Sequence, residues 1–134
     1  MNINEIEEKI KIMLVNELSP KLIYIFGSIV ANRVRDDSDI DIAILTEKKI
    51  DEYQLYMVSQ QLADKLKREV DIVDLKDAST IFKAEIIKNG KLIYNSDNLG
   101  KMYYQLEVLR DYTFLNERRQ EIIDKLKKKA AKYD

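Results

Sequence analysis

The stretch Leu22–Leu45 reads LIYIFGSIVANRVRDDSDIDIAIL. It constrains the fold more than any other part of the chain. An apolar run ends in Gly27-Ser28, and ten residues later Asp39-Ile40-Asp41 opens a second apolar run. Side chains alternate between the two faces of a strand. In a strand over Asp39–Leu45, Ile40, Ile42 and Ile44 therefore share one face, and Asp39, Asp41 and Ala43 share the other. Two carboxylates held that close repel unless a cation lies between them. A hard divalent ion is the natural occupant, and the Gly-Ser turn in front points to a phosphate chain carried by it.

The rest of the chain places this pair in a small domain. Periodicity predicts a helix from Asn4 to Leu18, with Ile6, Ile10, Met13 and Leu14 on its inner face and Ser19-Pro20 as its stop. A strand follows from Lys21 to Phe26. Gly27-Ser28 opens a turn or the start of a short helix through about Val34, and Asp36-Asp37-Ser38 is a polar turn. A helix is expected from Asp51 to Lys67, with Leu55, Val58, Leu62 and Leu66 inward. Glu69–Leu75 (EVDIVDL) is the third strand and carries Asp71. Asp74 competes with Asp71, but its odd offset turns it to the opposite face. Asp77–Lys88 is expected as a helix capped by Asn89-Gly90, followed by a short strand over Lys91–Tyr94.

From Asn98 the pattern is helical to the end. Leu99, Tyr103, Leu106 and Leu109 form one apolar stripe; Ile122, Leu126, Ala130 and Tyr133 form another. So long a helix cannot be buried throughout in a chain of 134 residues. From Glu117 onward it carries seven basic residues against four acidic ones. That run is either a solvated helix end or a docking arm for a partner.

Composition narrows the chemistry. The chain has no Cys and no His. Thiolate and imidazole metal sites, cysteine nucleophiles, Ser-His-Asp triads and a His general base are all excluded. Carboxylates, hydroxyls, Lys and Arg remain, which suits Mg²⁺ chemistry. Lys plus Arg (23) nearly balance Asp plus Glu (24), which argues against a general nucleic-acid coat or a membrane-surface protein. The start, MNINEIEEKI, lacks an apolar core segment of a signal peptide. No apolar run approaches the ~20 residues of a membrane span. A cytoplasmic protein is expected.

Three strands thus carry Gly27 and Ser28, Asp39 and Asp41, and Asp71. Such a carboxylate cluster is what two-metal phosphoryl transfer needs, with ions about 3.5–4 Å apart on the attacking and leaving oxygens. Gly27 lets backbone approach phosphates closely, and Ser28 offers a hydroxyl and an amide at a helix start.

The pattern GS-x10-DxD, followed by an Asp in a later apolar strand, resembles the DNA polymerase beta nucleotidyltransferase superfamily, and within it the MNT group of minimal nucleotidyltransferases. The resemblance covers nearly the whole chain. It implies an α+β fold: a small mixed sheet flanked by helices, a polymerase-beta-like palm, with a long C-terminal helix. Residues 1–97 would be the core and 98–134 a helical extension of the same domain.

The resemblance also implies roles. Asp39 and Asp41 bind two Mg²⁺ ions, and Asp71 completes the set as metal ligand, general base or both. Gly27 and Ser28 hold the β- and γ-phosphates of ATP. Where members of the group read GSxARG, this chain has Ala31 for the Arg and Asn32 for the Gly. Arg33, or Arg35, would then supply the phosphate-binding charge from a shifted position. The implied reaction moves AMP from ATP to a tyrosine of a cognate HEPN toxin, whose RNase motif needs a His that this chain lacks. Two alternatives are a nucleotidyltransferase acting on a small molecule such as an aminoglycoside, and a non-catalytic module that masks a toxin.

Overall fold

The computed structural model describes residues 1–27 and 39–132. The elements run α1 (Ile3–Leu18), β1 (Leu22–Phe26), β2 (Ile40–Leu45), α2 (Glu52–Leu66), β3 (Val70–Asp74), α3 (Thr80–Asn89), β4 (Lys91–Asn95) and α4 (Asn98–Ala131). The strand order is β3-β2-β1-β4. β1 pairs antiparallel with both β2 and β4, and β2 pairs parallel with β3. The sheet is therefore mixed, as expected, and α2 is the crossover that a parallel pair requires.

Each sheet face buries a different set of side chains. On one face Ile23, Ile25, Ile40, Ile42, Ile44, Val70 and Ile72 pack against α1 and α2 through residues such as Ile10, Leu14 and Leu62. On the other, Leu22, Tyr24 and Ala43 pack with Leu75, Ile86, Phe82 and Tyr104. The period of two in Ile40-Asp41-Ile42-Ala43-Ile44 produces this division directly. The isoleucines feed the larger core, while Asp41 shares the α3/α4 face with Ala43.

Local chemistry sets the helix ends. Asn2 caps α1 by accepting from the Glu5 amide at 2.9 Å, and Ser19 closes it in the left-handed region at φ 46°. Asp51 caps α2.

Two boundaries differ from expectation. The helix expected from Asp77 begins at Thr80, because the Ser79 hydroxyl accepts from the Phe82 amide at 3.1 Å. Ahead of it Asp74 caps a separate 3-10 turn over Leu75–Asp77, whose Leu75 is fully buried. Gly90 ends α3 with φ −76°, not in the left-handed conformation of the usual glycine cap. Its need for glycine is steric, since a Cβ there would lie 2.5 Å from the Ile86 carbonyl oxygen.

Within α4, Val108 is buried and Tyr104, Gln105, Tyr112 and Leu115 are half-buried. The stripe Leu99, Tyr103 and Leu106 faces solvent instead. From Asn116 to Lys132 every residue is exposed, so α4 projects beyond the body as its length required.

Candidate active site

The site is built across the ends of three strands. Phe26, at the end of β1, is the register partner of Asp41 in β2. Asp41 is in turn the register partner of Asp71 in β3. Register partners share a face, so both carboxylates stand on the α3/α4 side of the sheet. Asp39 immediately precedes β2 and is exposed, as is Asp71, while Asp41 is half-buried. Asp74 is paired with Ile44 and thus belongs to the opposite face; its carboxylate caps the 3-10 turn through the Lys76 amide at 3.0 Å.

Gly27 follows Phe26 with φ 81°. A Cβ at this position would stand 2.5 Å from Oδ2 of Asp41. Only glycine combines that backbone conformation with room for the carboxylate. The strand-to-turn junction therefore lies directly against the central acid.

Electrostatics bind the three acids into one unit. The Asp41 carboxyl is held above the usual carboxylate range, first by burial, then by the negative charges of Asp71 and Asp39. Phe26, on the strand beside Asp41, meets Phe82 of α3 edge-on, with ring centroids 5.6 Å apart. No basic side chain is paired with Asp39, Asp41 or Asp71 among the described residues.

The donor set suits a hard cation. It consists of carboxylate oxygens under mutual repulsion, which a cation relieves. Among the described residues no three carboxylates converge tightly enough to enclose an ion by themselves.

Ser28, Arg33 and Arg35 lie outside the described residues, as do Ala31, Asn32 and the turn and short helix expected through Ser38. Two features of the site were not foreseen from sequence. One is the contact between Gly27 and Asp41, which no local pattern encodes. The other is Phe26, whose signal was an aromatic residue directly before the glycine. A cavity of about 340 Å³ lies at the other end of the sheet, lined by residues such as Lys21, Leu45, Asp97 and Tyr104. It takes no part in the acid cluster.

Comparison with known proteins matches the model of the polymerase beta nucleotidyltransferase domain to residues 8–99. The chain belongs to the polymerase beta nucleotidyltransferase family. The match spans all four strands and ends at the start of α4. This nucleotidyltransferase is 35% identical over 120 residues to the protein adenylyltransferase MntA of Shewanella oneidensis, covering 88% of this chain and 85% of that one. Its fold matches a chain of a toxin–antitoxin complex crystallised with AMP-PNP: TM-score 0.78, 32% identity, 90% of this chain and 97% of that chain. It also matches a chain of the tri-AMPylated Shewanella oneidensis HEPN toxin in complex with MNT antitoxin. There the TM-score is 0.75 at 31% identity, over 92% of this chain and 97% of that one. The α+β nucleotidyltransferase fold and the MNT resemblance read from sequence are thereby borne out.

Proposed function

We propose that this chain transfers AMP from ATP to a tyrosine hydroxyl of a cognate HEPN-type toxin, and so acts as an antitoxin by adenylylation. The observation that carries the reading is the in-register pair Asp41–Asp71 with Gly27 against the Asp41 carboxylate. This geometry sits in a chain 35% identical to a protein adenylyltransferase.

In this reading Asp39, Asp41 and Asp71 would hold Mg²⁺, as two ions once ATP is bound. The cation supplies positive charge that offsets the triphosphate and makes the acceptor hydroxyl more acidic. Gly27 and Ser28 seat the β- and γ-phosphates, and Arg33 pairs with them. Asp71, the more open of the two register partners, takes the proton of the acceptor hydroxyl. The acceptor oxygen forms a bond to the α-phosphorus as the bond from that phosphorus to the bridging oxygen breaks. Pyrophosphate leaves with the electron pair. An ATP-dependent reaction on a toxin made in the same cell belongs in the cytoplasm. Among the described residues no helix is long and apolar enough to cross a membrane.

The test is incubation of the chain with α-labelled ATP, Mg²⁺ and its co-encoded HEPN-type protein. Label is expected on the partner, and a chain carrying Asp39→Asn with Asp41→Asn should give none. Equal labelling by that variant would remove the acid cluster from the reaction. Mg²⁺-dependent ATP binding without labelling would leave a masking antitoxin.

A further inference from the structure

The course of α4 relative to the acids is informative. Its first turns lie at the start of β1, where Gly100, Tyr104 and Glu107 line a cavity with Lys21 and Leu22. Further on, Gln105 Nε2 donates to the Tyr24 hydroxyl at 2.9 Å, halfway along β1. Next, the Lys88 ammonium lies 4.5 Å from the centre of the Tyr112 ring. Lys88 closes α3 just before Lys91, which is the register partner of Ile25. α4 thus ascends toward the sheet end that carries Phe26, Gly27 and Asp41. Its exposed part, from Asn116 to Lys132, extends about 25 Å further at 1.5 Å per residue.

This projecting segment carries an apolar row of its own. Val108 and Leu115 face the body, and Ile122 continues the same seven-residue spacing, with Leu126 one turn on. The core-facing stripe therefore continues past the point where the core ends. Ile122 is 57% exposed, Ile123 39% and Leu126 60%. Between residues 117 and 132 lie seven Lys or Arg and three Asp or Glu, whereas residues 1–116 carry an acidic excess.

We infer that the projecting half of α4 is the docking arm for the acceptor protein, which covers Ile122, Ile123 and Leu126 with an apolar groove edged by carboxylates. The inference rests on the adenylyl-transfer reading and adds the surface that presents the acceptor hydroxyl to the acids. Continuity with the interface already buried under α4 gives the arm its apolar row, and its excess of lysines selects an acidic rim. A second copy of the arm would bring the same positive charge against it. A nucleic acid would engage the lysines and leave the isoleucines and leucine in water.

The experiment uses the full chain with Ile122→Glu and Leu126→Glu, and separately with Lys127, Lys128 and Lys129 changed to Glu. The probe is the co-encoded HEPN-type protein. The readouts are its Kd by calorimetry, its KM as acceptor of labelled AMP, and Mg²⁺-dependent ATP binding. Both variants should weaken Kd and raise KM at least about tenfold, with ATP binding and the rate at saturating partner unchanged. Unchanged Kd and KM would overturn the arm. So would a chain-only dimer lost in the variants, or arm-dependent RNA binding with partner binding intact. Arm-dependent binding without labelling would keep the arm and refute transfer. Labelling insensitive to the arm would do the reverse.

Discussion

The Cα of Gly27 is turned so that a side chain there would collide with the Asp41 carboxylate, its Cβ 2.5 Å from Oδ2. Two effects therefore add in Gly27→Ala. A left-handed backbone disfavours Ala by about 1–2 kcal/mol, and the Asp41 carboxylate, the free end of a half-buried side chain, must turn aside at a smaller further cost. Urea denaturation should show the sum. In an Asp41→Ala background the collision part should vanish while the backbone part stays. Equal losses in both backgrounds would mean that the carboxylate does not occupy the space beside Gly27.

Asp41→Asn should stabilise the metal-free protein while abolishing transfer. The folded-state pKa of Asp41 is raised above its ordinary 3.8 by burial and by Asp71 and Asp39. The folded chain therefore binds more protons than the unfolded chain in the window above that value. Stability falls as pH rises through the window and stays reduced at neutral pH. Melting in EDTA should place the variant above wild type at pH 7, with the gap closing as the pH drops toward 4. Mg²⁺ should raise the wild-type melting temperature more than that of the variant. A variant that melts below wild type in EDTA at pH 7 would refute the repulsion.

Tyr24 and Tyr104 should respond differently to loss of their hydroxyls. Burial raises the pKa of both. Tyr24 accepts a hydrogen bond from Gln105, whereas the buried Tyr104 hydroxyl has no partner among the described residues. Tyr24→Phe should destabilise by about 1 kcal/mol, and Tyr104→Phe should be neutral or stabilising. Thermal melts of the two variants decide the order.

Asp97 holds the first turn of α4, accepting from the amides of Leu99 at 3.2 Å and Gly100 at 3.1 Å. Asp97→Ala should lower the urea midpoint by an amount equivalent to about 1 kcal/mol, with the slope of the transition unchanged. Asp97→Asn should recover most of it.

What could be read from sequence was whatever a local period encodes. Alternation placed Asp41 opposite Ile40 and Ile42, and it separated Asp71 from Asp74. The cap Asp51 likewise carries its meaning in its own side chain, which accepts from the Tyr53 amide. The α4 faces were harder, because Leu99, Tyr103 and Leu106 are as apolar as Tyr104, Val108 and Leu115. Only packing against α3 and β1 decides between two such stripes. The start of α3 differs from expectation because two carboxylates and a serine, at 74, 77 and 79, compete as caps within six residues. The contact of Gly27 with Asp41 depends on the β1–β2 register, a pairing between segments that no single segment specifies.

The parallel pairing of β2 with β3 has a kinetic consequence. Asp41 and Asp71 become neighbours only when α2 has formed and carried the chain back across the sheet. Joining distant segments is the slow part of folding, since chain-closure entropy must be overcome first. The hairpin-like β1–β2 contact can form without it, yet that half lacks Asp71. A nascent or partly unfolded chain therefore has no complete set of acids, and the ability to bind a nucleotide and the completed topology arise in the same step.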